Sequence, residues 1–131
     1  MKYMNFLAAD LGSSNGCVVL GEYNGEKLRA TEVHRFENNP VSILGHNYWD
    51  ILRLFFEVTN GIAAYHKKYR KEIKSIGIDA WGNDFAMFCR SGHLISNPSH
   101  YRNSHTEGIL SKTEHIISEK EIFEMTGIRL S

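Results

Sequence analysis

Ala8-Ala9-Asp10-Leu11-Gly12-Ser13-Ser14-Asn15-Gly16-Cys17 is the stretch on which the fold turns. An apolar run, Phe6 to Ala9, leads into it, and a second, Val18 to Leu20, leads out. That pattern predicts strand, tight turn, strand, with Asp10 at the tip of the first strand. Two glycines and three small polar residues keep side chains out of the way. Main-chain N–H groups can then converge on one point, as in an anion-binding nest. Asp10 beside such a nest is a hard oxygen ligand suited to magnesium, directly or through water. The same residues also suit an ordinary hairpin loop, because Gly, Asn, Asp and Ser are the usual turn formers. Both readings stay open until the rest of the chain is considered.

Working outward, Tyr3 to Ala9 reads as a buried strand and Cys17 to Tyr23 as its neighbour. Asn24-Gly25 is a turn of the kind that closes hairpins. Lys27 to Phe36 alternates as a half-exposed strand does, which completes a three-stranded antiparallel meander. Glu37 to Tyr48, with Asn38, Asn39, Pro40, Gly45 and Asn47, reads as a loop. Asp50 can cap a helix whose apolar face carries Ile51, Phe55, Val58, Ile62 and Tyr65. Gly61 is expected to weaken that helix by about 1 kcal/mol relative to alanine. The basic run Lys67 to Lys71 suits its C-terminal end.

Ile73 to Ala80 predicts a buried fourth strand. A strand that follows a crossover helix normally runs parallel to an earlier neighbour. Trp81-Gly82-Asn83-Asp84 breaks it, and Phe85 to Cys89 predicts a fifth strand turned back by Ser91-Gly92. Helices are expected from Thr106 or Glu107 to Ser118 and from Glu119 to Met125, the last stopped by Gly127. The fold class is therefore α/β: a meander, a helix, further strands in a mixed sheet, and flanking helices.

The chain has 131 residues, 42% hydrophobic and 23% charged, which suits one globular domain. Net charge is zero and the pI is near 7.1, so neither nucleic acid nor an anionic membrane surface is an expected partner. No apolar run reaches transmembrane length and no secretory leader is legible, so the expected location is the cytoplasm. Cys17 and Cys89 make neither a metal pattern nor a disulfide framework, and the seven histidines have no ligand spacing.

The order of elements resembles a ribonuclease-H-like domain, the half-unit of the actin and sugar-kinase superfamily. The residues carry the resemblance further. Asp10 to Gly16 resembles the first phosphate loop of the FGGY carbohydrate kinases. Ser75-Ile76-Gly77-Ile78-Asp79-Ala80-Trp81-Gly82-Asn83-Asp84-Phe85 resembles the strand-and-loop segment Ser-Ile-Gly-Ile-Asp-Thr-Trp-Gly-Val-Asp-Phe of the family's rhamnulokinase branch. His34-Arg35-Phe36 followed by Trp49-Asp50 is similar to a pairing seen in that branch, and Tyr101 to Thr106 and Met125-Thr126-Gly127-Ile128 resemble later segments of it. The resemblance implies transfer of the ATP γ-phosphoryl group to the C1 hydroxyl of L-rhamnulose, with Mg²⁺. It also implies that Asp10, Gly12, Ser13, Ser14, Asn15, Gly16 and Cys17 meet the ATP phosphates. Asp10 would hold the metal, and Gly82, Asp84 and Arg102 would meet the sugar.

The sequence departs from the pattern at Cys17, where the branch has arginine, and at Asn103 and His105, where it has aspartate and arginine. The resembled family is several times longer, so residues 1–131 correspond to the N-terminal part of its first domain. The catalytic base, an aspartate, is expected beyond residue 131, and the chain alone is expected to be inactive. Two other readings fit the sequence. One is a stand-alone half-kinase that binds sugar or nucleotide, or self-associates through its uncovered surface. The other is an FGGY kinase for a different ketose.

Overall fold

In a computed structural model that describes residues 3–129, the stretch around Asp10 folds as the bend of a hairpin. Met1, Lys2, Leu130 and Ser131, and the side chain of His105, lie outside the described residues. β1 (Met4–Leu11) pairs antiparallel with β2 (Asn15–Tyr23), and the turn closes with the Gly12 N–H donating to the Asn15 carbonyl at 3.0 Å. At the next turn the Asn24 side-chain oxygen accepts the N–H groups of Glu26 and Lys27, and Gly25 supplies a φ of +99°. The chain returns as β3 (Leu28–Glu37), so the meander forms as the alternation predicts.

Between β3 and the helix the expected loop holds a small hairpin, β4 (Val41–Ile43) and β5 (His46–Tyr48). Leu44 and Gly45 bend it with φ of +50° and +82°. A leucine in that conformation is uncommon, which is why the turn is not legible in the sequence.

α1 (Ile51–Tyr69) begins at Asp50, whose carboxylate accepts the Arg53 N–H, and ends at a left-handed Arg70. His66, Lys67 and Lys68 in its last turn complement the helix dipole. β6 (Ser75–Ala80) then runs parallel to β1, giving the sheet order β3-β2-β1-β6. Leu7, Ala9, Val18 and Leu20 turn one sheet face onto Tyr65, with Val33, Val58, Ile62, Tyr69 and Ile73 around them. Gly61 is the point of contact: a Cβ there would lie 2.3 Å from Val18 Cγ2. The glycine that weakens the isolated helix is what lets it lie against β2. His34 Nε2 meets Glu57 Oε2 at 2.7 Å and ties β3 to the same helix.

Four expectations change. Phe55 is 72% exposed, on a flank of α1 away from the core. β6 was expected to be buried, yet all six of its residues are exposed, Ile76 by 46% and Ile78 by 65%. A continuous apolar run marks a strand that can be covered, not one that is. Phe85 to Cys89 forms no strand, only a bridge between Phe88 and Leu94 around Gly92 at φ +84°.

The fourth change lies in the second of two compact units, which starts at Arg102. The long helix expected from Thr106 or Glu107 to Ser118 shrinks to a 3₁₀ turn, Ser104–Thr106, and α2 (Ile109–Thr113). Gly108 breaks it with φ +70°, and the hydroxyls of Ser111 and Thr113 bond back to carbonyls of the preceding turn. α3 (Glu119–Thr126) forms as expected, opened by a Ser118–Glu121 capping box and closed by Gly127 at φ +69°.

Candidate functional site

Strand register assembles the site. Asp79 stands beside Asp10, Asp10 opposite Cys17, and Cys17 opposite Arg35, one row across four strands. Residues paired in register share a sheet face, here the face opposite the Leu7 and Ala9 core. Asp10, Asp79 and Arg35 are exposed, while Cys17 is buried. Burial pushes the Cys17 thiol up from its ordinary range, and the neighbouring Arg35 guanidinium only partly opposes this. Arg35 bonds Glu32 and donates to Asn15 Oδ1 at 2.6 Å, so its charge reaches the hairpin bend. A cation at this loop therefore comes from β3, although Cys17 itself carries none. Only the register of β2 on β3 reveals that placement.

The bend is a tight hairpin turn. Ser13, Ser14 and Asn15 are exposed at its tip. The Gly12 N–H is already bonded to Asn15, which removes one donor from the expected nest. Gly16 lies over the Phe36 ring, where a Cβ would meet Phe36 Cζ at 2.3 Å. Asn38, not singled out from the sequence, is the brace. It is 5% exposed, donates Nδ2 to the Gly12 carbonyl at 2.8 Å, and gives its N–H to the Ser14 carbonyl at 3.0 Å. Asn38→Ala is expected to cost about 1–2 kcal/mol, since the Gly12 carbonyl loses its side-chain donor. Amide hydrogen exchange is expected to accelerate at residues 12–15 and not in α1. Equal acceleration in both places would show that Asn38 does not act locally.

β1 and β6 are parallel, so the Gly12 bend and the Trp81–Asp84 segment leave the same end of the sheet. Ligands of open α/β sheets favour the carboxyl ends of such strands. Gly82 is exposed, with open space where a Cβ would point. Asp84 is held by two indoles: Trp49 Nε1 donates to its Oδ2 at 2.5 Å and Trp81 Nε1 to the same oxygen at 2.9 Å. Trp49 is 1% exposed, with Trp81 4.4 Å away on one side and His100 stacked at 4.4 Å. The Trp49 main-chain N–H donates to the Pro98 carbonyl, and the His100 main-chain N–H to that of Asn47, which fixes residues 97–100 against β5. The Trp81 ring packs on Trp49, and its N–H also orients Asp84. Arg102 lies in the second unit, where it is exposed.

Asp10 and Asp79 are neighbours in the row, and their carboxylate oxygens are ligands of the kind a hard divalent cation takes; the Cys17 thiol, opposite Asp10, is buried. No group of three or more His, Cys, Asp and Glu placed to hold a metal occurs among the described residues. A hollow of about 150 Å³ lies within the second unit, lined by residues including Leu110, Thr113, Ile117 and Ile122, and shares none with the bend. No helix among the described residues is long and apolar enough to cross a membrane.

No family model matches the chain. Curated relatives do. The rhamnulokinase of Mannheimia succiniciproducens is 36% identical over 131 residues, covering 98% of this chain and 27% of the relative. That of Bacteroides thetaiotaomicron is 36% identical over 126 residues, covering 96% of this chain and 26% of the relative. The chain thus spans about a quarter of the length of the curated relatives it matches. Among solved structures, a gluconate kinase from Lactobacillus acidophilus superposes with a TM-score of 0.77 at 16% identity, over 97% of this chain and 25% of that one. The glycerol kinase of Plasmodium falciparum, solved with ADP, gives 0.74 at 17% identity, over 98% of this chain and 26% of that one. The fold is that of the actin-like, ribonuclease-H-like sugar kinases, present as a half domain.

Proposed function

We propose that this chain, a carbohydrate-kinase family member by sequence and fold, is part of an enzyme that makes L-rhamnulose 1-phosphate from ATP and L-rhamnulose. The observation that supports the reading most is the meeting of the Gly12 bend and the Asp10–Asp79 pair at one end of two parallel strands. Phosphoryl transfer asks mostly for positioning and charge stabilisation. In this proposal Ser13, Ser14 and Asn15 present hydroxyl, amide and main-chain donors to the phosphates. Gly12 and Gly16 let the loop close on Asn15 and Phe36, and Cys17 completes the loop. Arg35 adds the positive charge that Cys17 lacks. Asp10, with Asp79, would hold Mg²⁺, which supplies charge neutralisation for the phosphates when bound.

Gly82 leaves room for a hydroxylated ligand, and Asp84 offers it the oxygen not held by the indoles. No residue of the chain is assigned as the base that takes the hydroxyl proton, so the 131 residues alone are proposed to turn over no sugar. Residues 1–131 are proposed to act as one part of a larger domain, in the cytoplasm, with no nucleic-acid or membrane partner.

The test is a titration of MgATP onto the chain, followed by amide NMR. Shifts concentrated at residues 10–17, and weakened at least tenfold in Asp10→Ala, are expected. Shifts confined to α3, or none at millimolar nucleotide, would overturn the phosphate site. The sugar is tested separately, in a longer protein that contains this segment: faster phosphorylation of L-fuculose or D-xylulose than of L-rhamnulose would overturn the substrate.

A further inference from the structure

β3 does not keep strict alternation. Its register on β2 shifts by one residue: His34 pairs with Val18 and Glu32 with Val19, which leaves Val33 opposite no residue of its own. One extra residue in one strand is a β-bulge, and it reverses the face that every later residue takes. Val33 and His34, neighbours in sequence, therefore turn to the same side. Val33 packs on the Leu7 core, and His34 meets Glu57 of α1. The bulge has a second effect on the opposite face. Glu32 and Arg35 are three residues apart, and in a regular strand they would point to opposite faces. Here Glu32 pairs with Val19 and Arg35 with Cys17, so both face away from the Val18 core. Their side chains meet. Arg35 donates Nε to Glu32 Oε2 at 2.9 Å, and its Nη2 bonds the same oxygen. A third donor, Nη1, reaches Asn15 Oδ1 at 2.6 Å.

We propose that Glu32 is a positioning residue for the phosphate loop: set on the site face by the Val33 bulge, it fixes the Arg35 guanidinium on the Asn15 side, where the ATP phosphates bind. This rests on the reading of the Gly12 bend as a phosphate site. A guanidinium is planar and its N–H donors have fixed directions, so the edge held by Glu32 decides where the rest point. The Arg35 hydrogen bond in turn holds the Glu32 carboxyl below its ordinary range, which keeps the pair charged at neutral pH. Both side chains are substantially exposed, and an exposed ion pair adds little to stability. Its effect is orientation. Charge alone predicts the opposite outcome. Glu32 brings a negative charge near the phosphates, so its removal would tighten nucleotide binding if charge were all that mattered. Positioning predicts weaker binding, because an unheld Arg35 side chain gives up rotamer freedom when the anion arrives. The sign of the change separates the two.

The experiment is a MgATP titration of the chain and its variants, followed by NMR of the main-chain amides, the Asn15 side-chain amide and the Arg35 Nε–H. Glu32→Ala is expected to weaken binding about three- to tenfold, the effect of one unheld side chain. Glu32→Gln keeps an acceptor oxygen and is expected to weaken it less. In an Arg35→Ala background, Glu32→Ala is expected to weaken binding no further, since no guanidinium is left to orient. Before any nucleotide is added, Glu32→Ala is expected to speed exchange of the Arg35 Nε–H with water and to shift the Asn15 side-chain amide. Tighter binding by Glu32→Ala, an equal loss in the Arg35→Ala background, or an Asn15 amide indifferent to Glu32 would each overturn the proposal and leave the phosphate site standing. No nucleotide-dependent shift at residues 10–17 of the unaltered chain would overturn the phosphate site itself, and this proposal with it.

Discussion

Gly61→Val is expected to destabilise the chain by about 3 kcal/mol, read from urea unfolding followed by circular dichroism. Helix propensity alone argues the other way, since any side chain there relieves the entropy of glycine by up to about 1 kcal/mol. Packing decides the sign. A Cβ on residue 61 would stand 2.3 Å from Val18 Cγ2 and 2.7 Å from Val18 Cβ. Val18 is 1% exposed and β-branched, so it has no alternative rotamer to retreat into. The helix would have to lift from β2, loosening Tyr65, Val58 and Ile62 from the sheet. Gly61→Ala is the milder case, with a net loss of about 1–2 kcal/mol. Val18→Ala should rescue it, so that the double variant is more stable than the sum of the two single losses predicts. A stabilised Gly61→Ala would show that α1 does not approach β2 this closely.

The same residue shows what a sequence can and cannot tell. The helix, its Asp50 cap and its basic last turn follow from local rules that need no partner, and they stand where expected. So do the three antiparallel strands, the parallel return of β6 and the capped α3. Gly61 was legible only as a weak point, because its value depends on Val18, which is distant in sequence. Burial of β6 failed for a related reason. Its composition records what the strand can be packed against, while its exposure depends on what is packed there.

In the candidate site, the Gly12 bend and Asp10 were legible as a turn with a carboxylate. Arg35 and Asn38 were not, because strand register and a long-range hydrogen bond bring them to the loop. Asp84 was marked as a ligand from resemblance. That its carboxylate is anchored by two indoles from separate segments is a fact of packing.

That anchoring carries the other large effect. Trp49→Ala is expected to cost about 4 kcal/mol, the range for deleting a fully buried aromatic ring. Trp49 is 1% exposed, touches Trp81 and His100 with its ring, and donates to Asp84. Trp49→Phe separates the two contributions. It keeps an aromatic ring between Trp81 and His100 and removes the N–H with the smaller ring of the indole, while Asp84 retains its bond from Trp81. A cost of about 1.5–3 kcal/mol is expected, the usual range for one hydrogen bond to a charged group. Asp84→Leu reverses the deletion and leaves both indole N–H groups without their acceptor, so it should cost more than Trp49→Phe although it removes a charge. Urea unfolding curves for the three variants give the order Trp49→Ala, then Asp84→Leu, then Trp49→Phe. If Trp49→Phe were as damaging as Trp49→Ala, the indole N–H and not the ring would hold this corner. The segment from Trp81 to Asp84 would then owe its conformation to one hydrogen-bonded carboxylate.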